Sequence, residues 1–265
     1  MTPAAAPFVA SSAALARRVA PLVLFVLVWQ SLGTLHLVNT SFLPSPMMVG
    51  RALGDLLSGH EIRDNLLVTL WRAVVGLIAG SACGIAVGVG MARSQAFRGY
   101  LAPIVGATYS LPKTALVPLL ILWLGVGDVM AMAAVFLTCL LPVVVHTFHG
   151  VTATPPVLVW SAQALGASRR QVLWRILLPH ALPDIFTGLR IAMGFAFVVA
   201  ISAEMIASTA GIGRLTFMYG ENGAYDYMFA AIASVVVVAF LADRALLWLG
   251  ALCLRWHEAA AGEGA

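Results

Sequence analysis

A chain of 265 residues that is 61% hydrophobic and only 10% charged lacks the polar material to cover a soluble core, since ordinary soluble domains carry about 25% charged residues. Its net charge of +4 comes from arginines placed between apolar runs, which is a membrane-orientation pattern and not a nucleic-acid-binding one. Cys83, Cys139 and Cys253 fall in or beside apolar runs without CxxC pairing and read as small packing residues, not metal ligands or disulfide partners.

Apolar runs near the ~20 residues that a bilayer core requires predict six spans, at about 19–37, 65–91, 100–124, 129–149, 184–207 and 229–252. The expected fold is therefore all-α and polytopic. A short tail covers 1–18, a membrane domain 19–254 with its core unit at about 64–252, and a second tail 255–265. Arg17 and Arg18 precede the first span as in a signal peptide, but no small-residue cleavage site follows Trp29, so an uncleaved helix is expected. Placing both termini in the cytoplasm puts Arg17, Arg18, Arg93, Arg98, Arg169, Arg170, Arg175 and Arg255 inside, against Arg51, Arg63 and Arg214 outside.

Between the first two spans, residues 45–58 carry Met47, Leu53, Leu56 and Leu57 at helical spacing and predict an interfacial helix. The second span has Gly76, Gly80, Gly84 and Gly88, one every four residues, a smooth stripe suited to close helix packing. The third holds Pro103, Pro112 and Pro118 and is expected to be kinked, because each proline removes a backbone donor.

Charges inside spans cost about 2.5–3.5 kcal/mol on insertion scales and need partners or water. Arg72, in the second span, and Glu204, in the fifth, lie at depths that agree within roughly 6 Å and are expected to form an ion pair; the alternative has one of them facing a solute path. Lys113 lies mid-span beside Pro112. It is expected either to be satisfied internally, by a partner or by carbonyls, or to attract an anionic solute in a water-filled vestibule. Arg190, near the inner end of the fifth span, can snorkel to the interface. His146 and His149 have no nearby third ligand, so no metal site is read.

Residues 150–183 follow the fourth span and are expected in the cytoplasm. Thr154-Pro155 reads as a helix start, Gly166 as a break, Ser168 with Gln171 as a capping box, and Pro179 as a helix stop. Two short helices joined at Gly166 follow, the second with an apolar face of Val172, Leu173, Ile176 and Leu177 beside polar Arg169, Arg170 and Arg175. Such a hairpin either rests on anionic lipid or docks a cytoplasmic partner.

Gly166, nine intervening residues and Ile176-Leu177-Leu178-Pro179 resemble the glycine-x9-I-x-L-P loop of binding-protein-dependent ABC-transporter permeases. TLWRAVVGLIAG (69–80), LPKTALVPLLILWLGVGD (111–128), ALGASRRQVLWRILLPHALPDIFTGLRIAMG (164–194) and ISAEMI (201–206) resemble the nitrate, sulfonate and taurine group of that family, over roughly residues 20–255. The resemblance implies that Ala162, Leu165, Gly166, Ala167, Arg169, Arg170, Ile176, Leu178 and Pro179 belong to a coupling helix that inserts into a separate ATPase. Where the family opens the loop with Glu-Ala-Ala, this chain has Trp160, Ser161 and Ala162, so the acidic contact does not carry over and Trp160 is expected to replace it by apolar packing.

The resemblance further implies a non-enzymatic permease in a bacterial inner membrane, surrounded by lipid. Its expected partners are a second copy of itself, two ATPase subunits and an outside solute-binding protein, and its solute is small and anionic. No Walker A loop precedes Lys113, the only lysine, so ATP and Mg are expected in the partner and no cofactor in this chain. The alternatives are an importer for a thiamine precursor, methionine or phosphate, or a secondary transporter driven by ion gradients. The latter calls for inverted repeats and paired broken helices, of which one proline-rich span is the only trace.

Overall fold

The computed structural model describes residues 7–255, and every described element is helical. In chain order these are α1 (Pro7–Thr34), α2 (Pro46–Ser58), α3 (Glu61–Arg93), α4 (Gln95–Tyr109), a 3-10 turn (Lys113–Leu116), α5 (Val117–Leu124), α6 (Asp128–Thr152), α7 (Pro156–Ala164), α8 (Arg169–Val172), a π turn (Leu173–Leu177), α9 (Leu178–Ala207), α10 (Ile212–Glu221) and α11 (Tyr225–Cys253). The tails beyond 7–255 lie outside the described residues.

Among the described residues, four helical segments are long and apolar enough to cross a membrane: α3, α6, the continuous run Arg169–Ala207, and α11. The expected third span is not one kinked helix. It is α4 and the 3-10 turn with α5, bent by 94°. Pro112 caps the 3-10 turn and Pro118 sits in the first turn of α5, positions where a missing N–H costs nothing. The expected first span appears as a shorter apolar stretch, Val19–Thr34.

Contacts divide the chain into two compact units, Met1–Ile62 with Thr216–Ala233, and Arg63–Leu215 with Ser234–Ala265. In the first, Ser45 caps α2 by accepting from the Met48 amide. The face that α2 buries against protein is Val49, Ala52 and Leu56, and Met47 and Leu57 of the apolar stripe are exposed. Trp29 packs against Phe229, and Tyr219 donates to Glu61 at 3.1 Å.

The second unit is built on small residues. A Cβ at Gly76, Gly80, Gly84 or Gly88 would come within 2.6–2.9 Å of α6 atoms: Val135, the Phe136 and Leu140 carbonyls, and Thr147. The stripe therefore seats α3 directly on the α6 backbone. α6 repeats the device against α9, where Gly150 meets Ala181 and Asp184, and Gly188 meets His146. Ala181, Ala192, Ala196, Ala200 and Ala203 line that seam, all at most 1% exposed. With no hydrophobic drive between helices in lipid, close van der Waals approach of this kind holds the spans together.

Candidate functional site

At one end of the α3–α6–α9 core lies a charged network. Arg72, its side chain 3% exposed, donates from Nη1 to Glu204 Oε1 at 2.9 Å. Nη1 also reaches the Ser208 hydroxyl and the Ala210 carbonyl. Its Nε and Nη2 grip Asp128 Oδ1 at 2.8 and 2.6 Å. Glu204 is fully buried and accepts in addition from Thr69 Oγ1 and from the Gly213 amide at 2.9 Å. Asn65 Oδ1 and Thr69 Oγ1 take up the Gly211 and Ile212 amides. The turn after α9 passes so close that a side chain at Gly211 would strike the Glu204 carboxylate.

The expected Arg72–Glu204 pair is thus present, but as part of a three-helix knot. Asp128, at the start of α6 and 58% exposed, is the member that sequence reasoning missed. A buried charge is tolerated only when paired and hydrogen-bonded, and all three nitrogens of the Arg72 guanidinium have an acceptor.

Lys113 sits at the 94° break. Its Nζ donates to the Tyr109 carbonyl at the end of α4 and lies 5.3 Å from the Tyr109 ring centre. The ammonium solvates a carbonyl freed by the break.

The loop 150–183 has the expected hairpin form with two changes. Pro156 occupies the first turn of α7 and Pro155 its N-cap position, whereas the Thr154 hydroxyl, buried, makes no hydrogen bond among the described residues. The chain enters α7 one residue later than Thr154-Pro155 predicts, because two successive prolines pre-set the first turn. Gly166 adopts φ +85°, a left-handed conformation that glycine adopts without a Cβ penalty. Nothing approaches within 4 Å of a Cβ placed there, so backbone conformation and not close packing calls for glycine.

The capping box is present: Ser168 Oγ accepts from the Gln171 amide, and Gln171 Oε1 accepts from the Ser168 amide at 2.7 Å. Pro179, expected to end the second helix, does not. The π turn 173–177 precedes it, and the helix runs on as α9 to Ala207. Widening the turn relieves the clash of the proline ring with the carbonyl four residues back, so the chain continues through it. Leu177 and Leu178 pack on Val151, Ala181 and Ile185, which roots the loop in the α6–α9 seam. Its tip presents Val157, Trp160, Leu165 (89% exposed) and Trp174 outward, beside exposed Arg169, Arg170 and Arg175. Ala162, Leu165, Gly166, Ala167, Arg175 and Ile176 line a hollow of about 260 Å³ in the angle of the hairpin.

Residues 76–252 match the family described as the binding-protein-dependent transport system inner membrane component. This chain belongs to that family. The permease is 36% identical to the taurine transport system permease protein TauC of Escherichia coli, over 89% of this chain and 88% of that one. It is 33% identical to the putative aliphatic sulfonates transport permease SsuC of the same organism, over 91% and 93%, and 28% identical to the Bacillus subtilis SsuC, over 89% and 86%. In fold it matches the inward-facing methionine ABC transporter MetNI, with TM-score 0.63 and 20% identity over 72% of this chain and 95% of that one.

The chain is therefore a multi-pass inner-membrane component of an ABC transport system. Arg190, expected to reach the interface, has a partner that the sequence reading did not name: its Nε donates to Asp243 of α11 at 2.7 Å, and Arg244 shares the same carboxylate. The partner went unseen because it lies on a different helix, 53 positions away.

Proposed function

We propose that this permease forms the membrane path of an ATP-driven importer for taurine or a related small sulfonate. It acts as a homodimer with two separate ATPase subunits and an outside solute-binding protein. The observation that carries the solute class is the 36% identity, across nearly the full length of both chains, to a taurine transport permease, with two sulfonate permeases beside it. A sulfonate is a hydrated anion, which the bilayer core excludes and a protein-lined route must carry.

The loop 150–183 is the contact with the ATPase. It carries three arginines and no acid, exposes Trp160 and Leu165, and is rigidly joined to the long helix that holds Glu204 at its far end. A push on the loop is therefore delivered along α9 to the Arg72–Glu204 knot, a route made of one continuous helix. Trp160 supplies large, rigid apolar area where a glutamate stands in the family pattern, and an exposed tryptophan of this kind is a typical binding anchor.

The solute is tested by growth. In cells stripped of their own taurine and alkanesulfonate uptake, this permease with its ATPase and binding protein should restore growth on taurine or an alkanesulfonate as sole sulfur source. Restoration on neither, with all three proteins present in the membrane fraction, would remove the sulfonate reading.

A further inference from the structure

A second charged cluster lies in the Arg63–Leu215 and Ser234–Ala265 unit, away from the transport machinery described above. Arg190 of α9 and Arg244 of α11 both donate to Asp243, at 2.7 and 3.0 Å. Their environment is the reverse of that of Arg72: both guanidiniums are about half exposed, at 51% and 54%. Arg244 uses only Nη2 on Asp243 and lies 5.2 Å from the Phe240 ring centre.

The depth of the cluster is informative. Arg190 precedes Ala207, the far end of α9, by about 17 residues, or ~26 Å at 1.5 Å per residue. A bilayer core is ~30 Å thick, so with Ala207 at one boundary the cluster lies at the other. On α11 the exposed residues Val237, Phe240, Leu241 and Trp248 recur at three- and four-residue spacing, one face of the helix, with Arg244 inside the same stripe. Trp248, one turn beyond Arg244, is the residue type that settles at the headgroup level. An apolar face interrupted by a paired guanidinium cluster beside a tryptophan complements one kind of molecule: an anion that carries acyl chains.

We propose that Arg190, Arg244 and Trp248 form a site for the phosphate headgroup of an anionic phospholipid of the inner leaflet, whose chains lie along Phe240 and Val237. Asp243 positions the two guanidiniums, and the phosphate oxygens accept from the donors of Arg244 that Asp243 does not use. Charge-assisted bonds of a guanidinium to phosphate are shorter and stronger than neutral ones, and a basic residue near a leaflet surface favours anionic lipid by about fivefold. The inference rests on the proposed orientation, with the C-terminal end of α11 cytoplasmic. The experiment below places lipid in both leaflets, so it reads the site whichever way the chain inserts.

The full chain is reconstituted in phosphatidylcholine vesicles that contain a small fraction of phosphatidylglycerol or phosphatidylcholine dibrominated near the headgroup. Trp248 emission is isolated by difference from Trp248→Phe. Brominated phosphatidylglycerol should occupy the site about fivefold more often than brominated phosphatidylcholine at equal fraction. Arg244→Lys should keep most of that preference and Arg244→Gln should lose it. Equal quenching by both lipids in the wild-type chain overturns the site without recourse to any variant. So does a preference abolished by millimolar inorganic phosphate, which would mark a soluble-anion site, or quenching by neither lipid, which would mean that a second copy of the chain covers this face.

Discussion

Arg72 and Glu204, 132 positions apart in sequence, meet at 2.9 Å inside the helix core, and Asp128 closes on the other edge of the same guanidinium. The three side chains come from α3, α6 and α9, so a single arginine ties the ends of three spans together. Removing Arg72 leaves the buried Glu204 carboxylate without its counter-ion, which costs about 3–5 kcal/mol, whereas removing Glu204 leaves Arg72 still paired with Asp128.

Arg72→Met should lower the thermal midpoint of the purified protein sharply and Glu204→Gln less, since Asp128 still pairs with Arg72, and the double variant should lose less than the two losses added. Asp128→Asn should cost much less, about 1 kcal/mol or below, because its carboxylate is more than half exposed. Strict additivity of Arg72→Met and Glu204→Gln would mean that the two do not act as a pair.

Gly166 is strained for any other residue, since φ +85° costs a non-glycine roughly 1–2 kcal/mol. The surrounding space is open, so Gly166→Asn, which tolerates the left-handed region best, should retain more uptake than Gly166→Leu. Both should insert normally. Gly166→Leu should weaken ATPase co-purification, and wild-type uptake by that variant at wild-type abundance would reduce the loop to a lipid-resting hairpin.

Lys113 holds the carbonyl that the α4–α5 break sets free. Lys113→Met should therefore lower stability by about 1 kcal/mol while uptake per folded molecule stays near that of the parent. The opposite pattern, full stability with lost uptake, would place the ammonium in the solute path.

Topology is checked with single-cysteine labels. Ser58 and Gly223 should react with an impermeant reagent from outside, and Gln95 and Ala167 only after the membrane is opened. Labelling of Ser58 from the inside alone would invert the orientation drawn from the arginine distribution.

Much of this was legible in the sequence where periodicity and cost speak together. The glycine stripe at 76, 80, 84 and 88 announced close packing of α3 without naming α6 as the partner, and similar depth announced Arg72–Glu204. Asp128 was not legible, because it stands at a helix start outside the counted spans and no depth could be assigned to it. Asp243 escaped for a related reason: pairing across helices depends on rotation about the axis, which spacing along one chain does not give. Prolines were read with the wrong outcome at Pro179, where a π turn carries the helix through, and too mildly at Pro112, where the span breaks by 94°. A proline states that one hydrogen bond is missing; neighbours decide whether the helix widens, bends or stops.

ATP-driven passage of a sulfonate through this chain, by way of a docked subunit, is tested most directly by reconstitution. Purified permease, its ATPase and its binding protein, reconstituted in vesicles, should accumulate labelled taurine or an alkanesulfonate only when ATP is supplied on the side that carries loop 150–183, and imposed proton or sodium gradients should give none. Accumulation driven by an ion gradient without ATP would contradict the account and make the chain a secondary transporter.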